Sequence, residues 1–183
     1  MLRKTLVILS LLTTGISIAS TGIEFHHGFG GGAAWQNIPG SFIKYNGRMN
    51  LTGTDTWTTS ISGVVAIGHE YNRPDQDAIR PYFITPATLD FNWGMGSTYE
   101  CLRYKGYSIK LGAAISSFAT TQKQIWNSNI KSVPKYIGFD YKFQTRNLRT
   151  FSIELGGLIT QFNESYLEDF GVLLAFNYHF GLY

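Results

Sequence analysis

The chain has 183 residues, of which 15% are aromatic and 15% are charged, and its formal net charge is +3. Charged residues make up roughly 25% of an ordinary soluble domain, so this composition is unusual for one. The single cysteine, Cys101, excludes an internal disulfide. An exported fold of this length would therefore be one domain held by packing and backbone pairing.

Residues 1–20 have the pattern of a secretory signal peptide. Arg3 and Lys4 form a positive start, the stretch Leu6–Leu12 is apolar, and small residues precede position 20. The alternative is a transmembrane anchor, but polar residues interrupt the apolar stretch, and spanning needs roughly 20 predominantly apolar residues. Removal of this segment leaves residues 21–183 with nearly balanced charge, so no nucleic-acid partner is implied.

The mature chain repeats with a period of two. Branched and aromatic residues alternate with polar or small ones, which is typical of strands that have two different faces. We predict an all-β fold with eight strands, at about 22–32, 41–51, 56–70, 81–93, 98–117, 134–144, 150–162 and 170–182. The fifth segment is too long for one phase, so a bulge or an early turn is expected within it.

The connections between these strands are predicted to alternate in length. Longer ones are expected around 35–40, 72–80, 120–133 and 163–169, and brief turns at 52–55, 94–97 and 145–147. Long loops on one side and short turns on the other are typical of an up-and-down transmembrane β-barrel, with both ends of the chain on the short-turn, periplasmic side.

Two interpretations of the strand faces remain. In a soluble barrel the apolar face would be the core; in a membrane barrel it would meet lipid. Lipid is favoured because the opposite face is mostly small residues, as suits a narrow lumen. Aromatic residues also gather beside the short turns, as in an interfacial girdle: Trp57, Phe91, Trp93, Tyr99, Tyr141, Phe143, Phe151, Tyr178, Phe180 and Tyr183.

With its signal peptide, its eight alternating segments and the C-terminal stretch from Phe176 to Tyr183, the chain resembles the small outer-membrane barrels of the OmpX/OmpA type. The resemblance covers the whole mature chain, at the level of pattern. It implies an integral protein of the bacterial outer membrane, surrounded by membrane lipid and lipopolysaccharide. It also implies that the barrel-insertion machinery reads the C-terminal strand.

Eight charged residues have the inward phase of these strands. Four acids face four bases, and a lumen of eight strands has little room for water, so we expect them to pair. They are Glu24, Lys44, Arg48, Asp90, Lys110, Asp140, Lys142 and Glu154. A salt-bridged plug that rigidifies the barrel is the favoured interpretation, and a small-solute channel is an alternative.

The first alternative function is an enzyme that acts on lipid A or phospholipid, and the small-solute channel is the second. His26 and His179 lie inward on the first and last strands, and Glu154 lies on the strand before the last. Such a group could provide acid and base, although lumen histidines bonded to carboxylates are more often structural. No metal site and no cofactor are expected.

The glycine run Gly28–Gly32, broken only by Phe29, resembles a phosphate loop superficially. It lacks the Gly-Lys-Ser/Thr ending and no helix follows, so it more simply permits close packing where the barrel closes.

The third long loop carries an exposed aromatic residue flanked by cations: Lys123, Trp126 and Lys131. These side chains could contact lipopolysaccharide phosphates or a host or envelope ligand. The leading functional hypothesis is therefore a noncatalytic barrel that acts in envelope integrity or in surface contact through its loops.

Overall fold

The computed structural model describes residues 24–36, 38–54, 56–71, 80–97, 101–116, 134–147, 149–161 and 168–180. They form eight strands: β1 (Phe25–Gln36), β2 (Ile38–Thr54), β3 (Trp57–Glu70), β4 (Arg80–Gly94), β5 (Lys105–Ser116), β6 (Lys135–Gln144), β7 (Thr150–Gln161) and β8 (Glu168–Phe180). Each strand pairs antiparallel with the next, and β1 pairs with β8, so the sheet closes into a barrel. The prediction of an eight-stranded antiparallel barrel is confirmed.

We call the end where β1 begins and β8 ends the lower end of the barrel, and the opposite end the upper end. Within the described parts of the chain, no helix is long and apolar enough to cross a membrane. Strands β3, β5 and β7 end at the upper end, and residues 71–79, 117–134 and 162–167 connect them to the strands that follow; residues 95–104, between β4 and β5, are the longest connection between strand ends of the lower end.

Two of the predicted connections are wrong in length. The first is not a long loop, because β1 and β2 remain paired up to Gln36 and Ile38 with a single residue between them. The fourth is not a brief turn, because β5 begins only at Lys105 and residues 95–104 connect it to β4. Gly94 and Gly96 have φ angles of 70° and 72°, which turn the chain under the lower end.

The strands alternate strictly between an inner and an outer face. Along β3 the side chains alternate between buried and exposed from Thr58 to Ile67. The outer face carries large apolar side chains on every strand, and the inner face carries polar groups, small residues and a set of buried apolar side chains. The period-two pattern of the sequence is thus the pattern of the two faces of the wall.

Aromatic rings form a belt around the outside of the lower end. Ring centroids of Tyr107 and Tyr141 are 5.3 Å apart, and those of Phe151 and Tyr178 are 5.4 Å apart. The belt crosses the closure through Phe180 and His27, whose rings stack at 5.0 Å. Tyr99 and Tyr183, which were also predicted for this girdle, lie outside the described residues.

The closure between β1 and β8 depends on glycines that face the lumen. A Cβ atom at Gly28 would meet the Tyr178 carbonyl oxygen at 2.6 Å. At Gly32 a Cβ would collide with the carbonyl oxygen of Leu174. Both contacts are with backbone, which cannot move aside without opening the pairing of the two strands.

We expect Gly32→Val to lower the free energy of unfolding by about 1–3 kcal/mol, the typical cost of overpacking. The matched control is Gly63→Val, since a Cβ at Gly63 has nothing within 4 Å. Urea unfolding in detergent micelles, followed by tryptophan fluorescence, measures both. Equal midpoints for the two variants would contradict the role of Gly32 in closure.

Candidate functional site

The lumen holds a cluster of buried charges around Glu154. Lys44 on β2 and Lys110 on β5 donate to Oε2 of Glu154 at 2.6 Å and 2.9 Å. Tyr136 donates its hydroxyl to Oε1 at 2.7 Å, and Asn177 lies 3.4 Å from Oε2. Two cations and two neutral donors therefore share one carboxylate at the centre of the barrel.

Asp140 extends this cluster toward the lower end. Its Oδ2 lies 3.5 Å from Nζ of Lys142 and 3.9 Å from Nζ of Lys110. Lys110 thereby links Asp140 with Glu154. All of these side chains are buried, and Lys142 is only 2% exposed. Coulomb attraction inside the barrel is strong because no bulk water screens it.

Arg48 and Asp90 are bound largely by neutral groups. Arg48 donates to Oδ1 of Asn92 at 2.8 Å and also to the carbonyl oxygen of Gly96. Asp90 accepts hydrogen bonds from the hydroxyls of Thr88, at 2.6 Å, and Ser62. Sequence reasoning that counted charges missed Asn92, although its inward phase and its position two residues from Asp90 were visible.

The lower mouth is capped by the connection between β4 and β5. The carbonyl oxygen of Ser97 accepts hydrogen bonds from Asn50, at 2.7 Å, and from Thr58, at 3.0 Å. Asn50 also donates to Glu24 at 2.7 Å, which places Glu24 at this mouth and apart from the Glu154 cluster. Ser97 is fully buried. The segment at 94–97, which was predicted to be a brief turn, thus covers the lower mouth of the barrel.

Above the charges, the upper half of the lumen is an apolar core. Its members share the inner face of their strands and are all buried: Ala34, Phe42, Val64, Ala66, Tyr82, Ile84, Ala114, Tyr136, Leu158, Leu173 and Ala175. Small inward residues were predicted, but this apolar layer was not. The large members are spread over several strands, so no single segment signals them.

Little space remains inside the lumen. One cavity near Arg48, Asp90 and His179 has a volume of about 20 Å³, and a second between Phe42 and Tyr136 has about the same volume. A single water molecule needs roughly 10–15 Å³ of such space. Each of these two cavities therefore has room for about one water molecule.

The three catalytic candidates have different partners. Nε2 of His179 lies 2.8 Å from the hydroxyl of Ser152, whereas Nε2 of His26 lies 3.3 Å from Glu24. Glu154 is engaged by the lysines described above. A histidine beside a serine is the start of a nucleophilic site, but the side chain of Ser152 is fully buried.

Lys123, Trp126 and Lys131 lie outside the described residues, as does the segment 1–20. Among the residues that the structure does describe, no three His, Cys, Asp or Glu side chains form a group that could hold a metal ion.

Comparisons of the chain with family models, with curated proteins and with solved structures found no match.

We expect Glu154→Gln to lower the free energy of unfolding by about 3–5 kcal/mol, because it leaves the Lys44 and Lys110 charges buried without their shared carboxylate. Lys105→Gln, an exposed charge on β5, is the control and should change it by about 0.5 kcal/mol or less. Adding Lys44→Met to Glu154→Gln should restore part of the loss, since it removes one uncompensated charge. Urea midpoints in micelles test all three; an unchanged midpoint for Glu154→Gln would contradict the importance of the cluster.

Proposed function

We propose that this protein is a closed, non-conducting barrel of a bacterial outer membrane, which strengthens the envelope and presents its loops at the cell surface. The observation that carries this proposal is the inside-out distribution of side chains. Charged groups are buried in the interior, while the exterior carries large apolar side chains on every strand.

The outer wall argues for a surrounding of lipid. Ile43 and Ile67 are about 60% and 59% exposed, whereas Asp140 inside is 1% exposed. Each Å² of apolar surface left in water costs about 25 cal/mol, so a wall of this kind is unfavourable in water and favourable in hydrocarbon. Among the described strand side chains, exposed lysines occur only at strand ends, at Lys105 and Lys135.

The aromatic belt supports an orientation. Amphipathic and aromatic rings gather where hydrocarbon meets water, and the belt encircles the lower end. Short turns in outer-membrane barrels face the periplasm. Two of the three lower-end connections are short, β1 begins and β8 ends there, and the longest connection of all joins the upper ends of β5 and β6. We therefore place the lower end, with its cap, on the periplasmic side. The outward rings of β8, including Phe176, Tyr178 and Phe180, would then serve as the feature that the insertion machinery reads.

The filled lumen argues against the two alternatives. A small-solute channel needs a continuous path along the lumen. The apolar core, the ion cluster and the cap would each obstruct such a path. A lipid-modifying enzyme needs substrate access, and the His179–Ser152 pair is buried within the wall and lumen. The interior is thus best explained as a rigid support for the parts of the chain outside it.

In planar lipid bilayers we expect no stable unitary conductance, because the lumen is filled through its height. Folding is checked on detergent gels, where the boiled sample should migrate more slowly than the unboiled one. Insertion is checked by the protection of the barrel from protease. A reproducible unitary step from inserted, heat-modifiable protein would overturn the closed lumen.

We further propose that residues 121–132 make the surface contact. Their sequence places Trp126 between Lys123 and Lys131, a combination suited to anionic polysaccharides or phosphates. They belong to the connection between Ser116, the last residue of β5, and Lys135, the first residue of β6.

Replacing these three residues together, as Lys123→Gln, Trp126→Ala and Lys131→Gln, should abolish adhesion of protein-bearing cells to a heparin-coated surface. Loss of both cations removes the charge attraction, while the barrel stays folded. Arg73→Gln, in the connection between β3 and β4, is the control and should leave adhesion unchanged. Equal adhesion of the triple variant and the unaltered protein would remove this role.

A further inference from the structure

The outer wall is interrupted by a groove across β5 to β8, which we call the Gly157 groove. Its volume is about 520 Å³, within the range of roughly 300–1,000 Å³ that is typical of ligand pockets. The lining is almost wholly apolar and consists of Ile109, Ile137, Gly138, Phe139, Leu155, Gly156, Gly157, Phe170 and Val172.

The pairing of the strands explains this groove. Gly157 lies between Ile137 on β6 and Val172 on β8, and Leu155 and Ile159 flank it on the same face of β7. A position without a side chain is thus surrounded by large ones. A Cβ at Gly157 would lie 3.3 Å from Ile137 and from the Phe170 ring, so these two side chains form its walls.

Absence of a side chain alone does not make a groove, as another outward glycine demonstrates. Gly63 on β3 pairs with Gly47 and with Ala87, so its neighbours on the adjacent strands are small as well. The surface there is flat and open, and a Cβ at Gly63 would meet nothing within 4 Å. The groove depends on the contrast between Gly157 and its large neighbours.

A single cation lies at the upper edge of the groove among the described side chains of this face. Lys135 pairs with Ile159, which places it one row above Gly157 and diagonal to it. Its side chain is exposed. An ammonium group next to an apolar groove complements a ligand that has a hydrocarbon chain below and an anionic group above.

We propose that the Gly157 groove binds one acyl chain of lipid A, with a lipid A phosphate at Lys135. This inference rests on the proposed function, which places the upper half of the wall in the outer leaflet. An acyl chain gains contact with Phe139, Leu155 and Phe170 on both sides of the groove, instead of the one-sided contact offered by a flat wall. The ammonium group of Lys135 favours an anionic lipid over a neutral one.

Native mass spectrometry of the full mature barrel, refolded in detergent and supplied with bisphosphorylated lipid A, tests the proposal. The unaltered protein should retain one lipid A molecule. Gly157→Leu fills the groove and should weaken retention about tenfold, equivalent to the loss of roughly two buried methylene groups. Gly63→Leu adds the same side chain to the flat surface and should retain lipid A like the unaltered protein.

Lys135→Gln provides a second variant that leaves the packing of the wall unchanged. It should weaken retention of lipid A about fivefold, as expected for one cation near an anionic lipid, and leave retention of phosphatidylcholine unchanged. Lys105→Gln, at the lower end, should alter neither. Equal retention by Gly157→Leu and Gly63→Leu, or an equal effect of the two lysine variants, would overturn the site.

Insertion into lipid vesicles, read from heat-modifiable migration and protease protection, separates the two proposals. Protein that inserts but retains no lipid A overturns the groove and leaves the membrane barrel standing. Protein that fails to insert overturns the proposed function and the groove with it.

Discussion

The pairing of β1 with β8 is the constraint on which the remaining structure depends. An open sheet would leave two rows of unpaired backbone groups, whereas closure satisfies them within the wall. Closure with eight strands also fixes a narrow interior. The inward glycines of β1 allow β8 to approach closely, so the interior is also narrow where the two strands pair. Side chains fill most of this interior, and the cavity near Arg48 has a volume of only about 20 Å³.

The interior divides into layers that differ in chemistry. An apolar core lies above, the Glu154 cluster lies in the middle, and hydroxyl and amide groups lie below, over the cap at Gly96 and Ser97. Buried charges are costly unless each is paired, so the cluster favours the one arrangement of the strands in which its charges meet. A single arrangement is what the proposed closed barrel would require.

The proposed activities belong to the outside of the molecule. Residues 121–132 would meet ligands beyond the membrane, and the Gly157 groove would meet lipid within it. Both combine lysine with apolar or aromatic groups in the sequence. Lys135 begins β6 directly after the connection to which Lys123, Trp126 and Lys131 belong. Lysine is therefore the common feature of the two proposals.

The sequence by itself determined the strand number and the two faces, because side-chain direction alternates with every residue along a strand. It also placed Lys44, Lys110 and Glu154 on the inner face, where the structure buries them. Their contacts were decided only by the tertiary structure: Lys44 and Glu154 are 110 residues apart and meet across the lumen. Local alternation does not encode such meetings, since they depend on how the strands are staggered when the barrel closes. For the same reason the sequence did not predict three further features, each of which is formed by residues from several strands: the cap at Ser97, the apolar upper layer and the Gly157 groove.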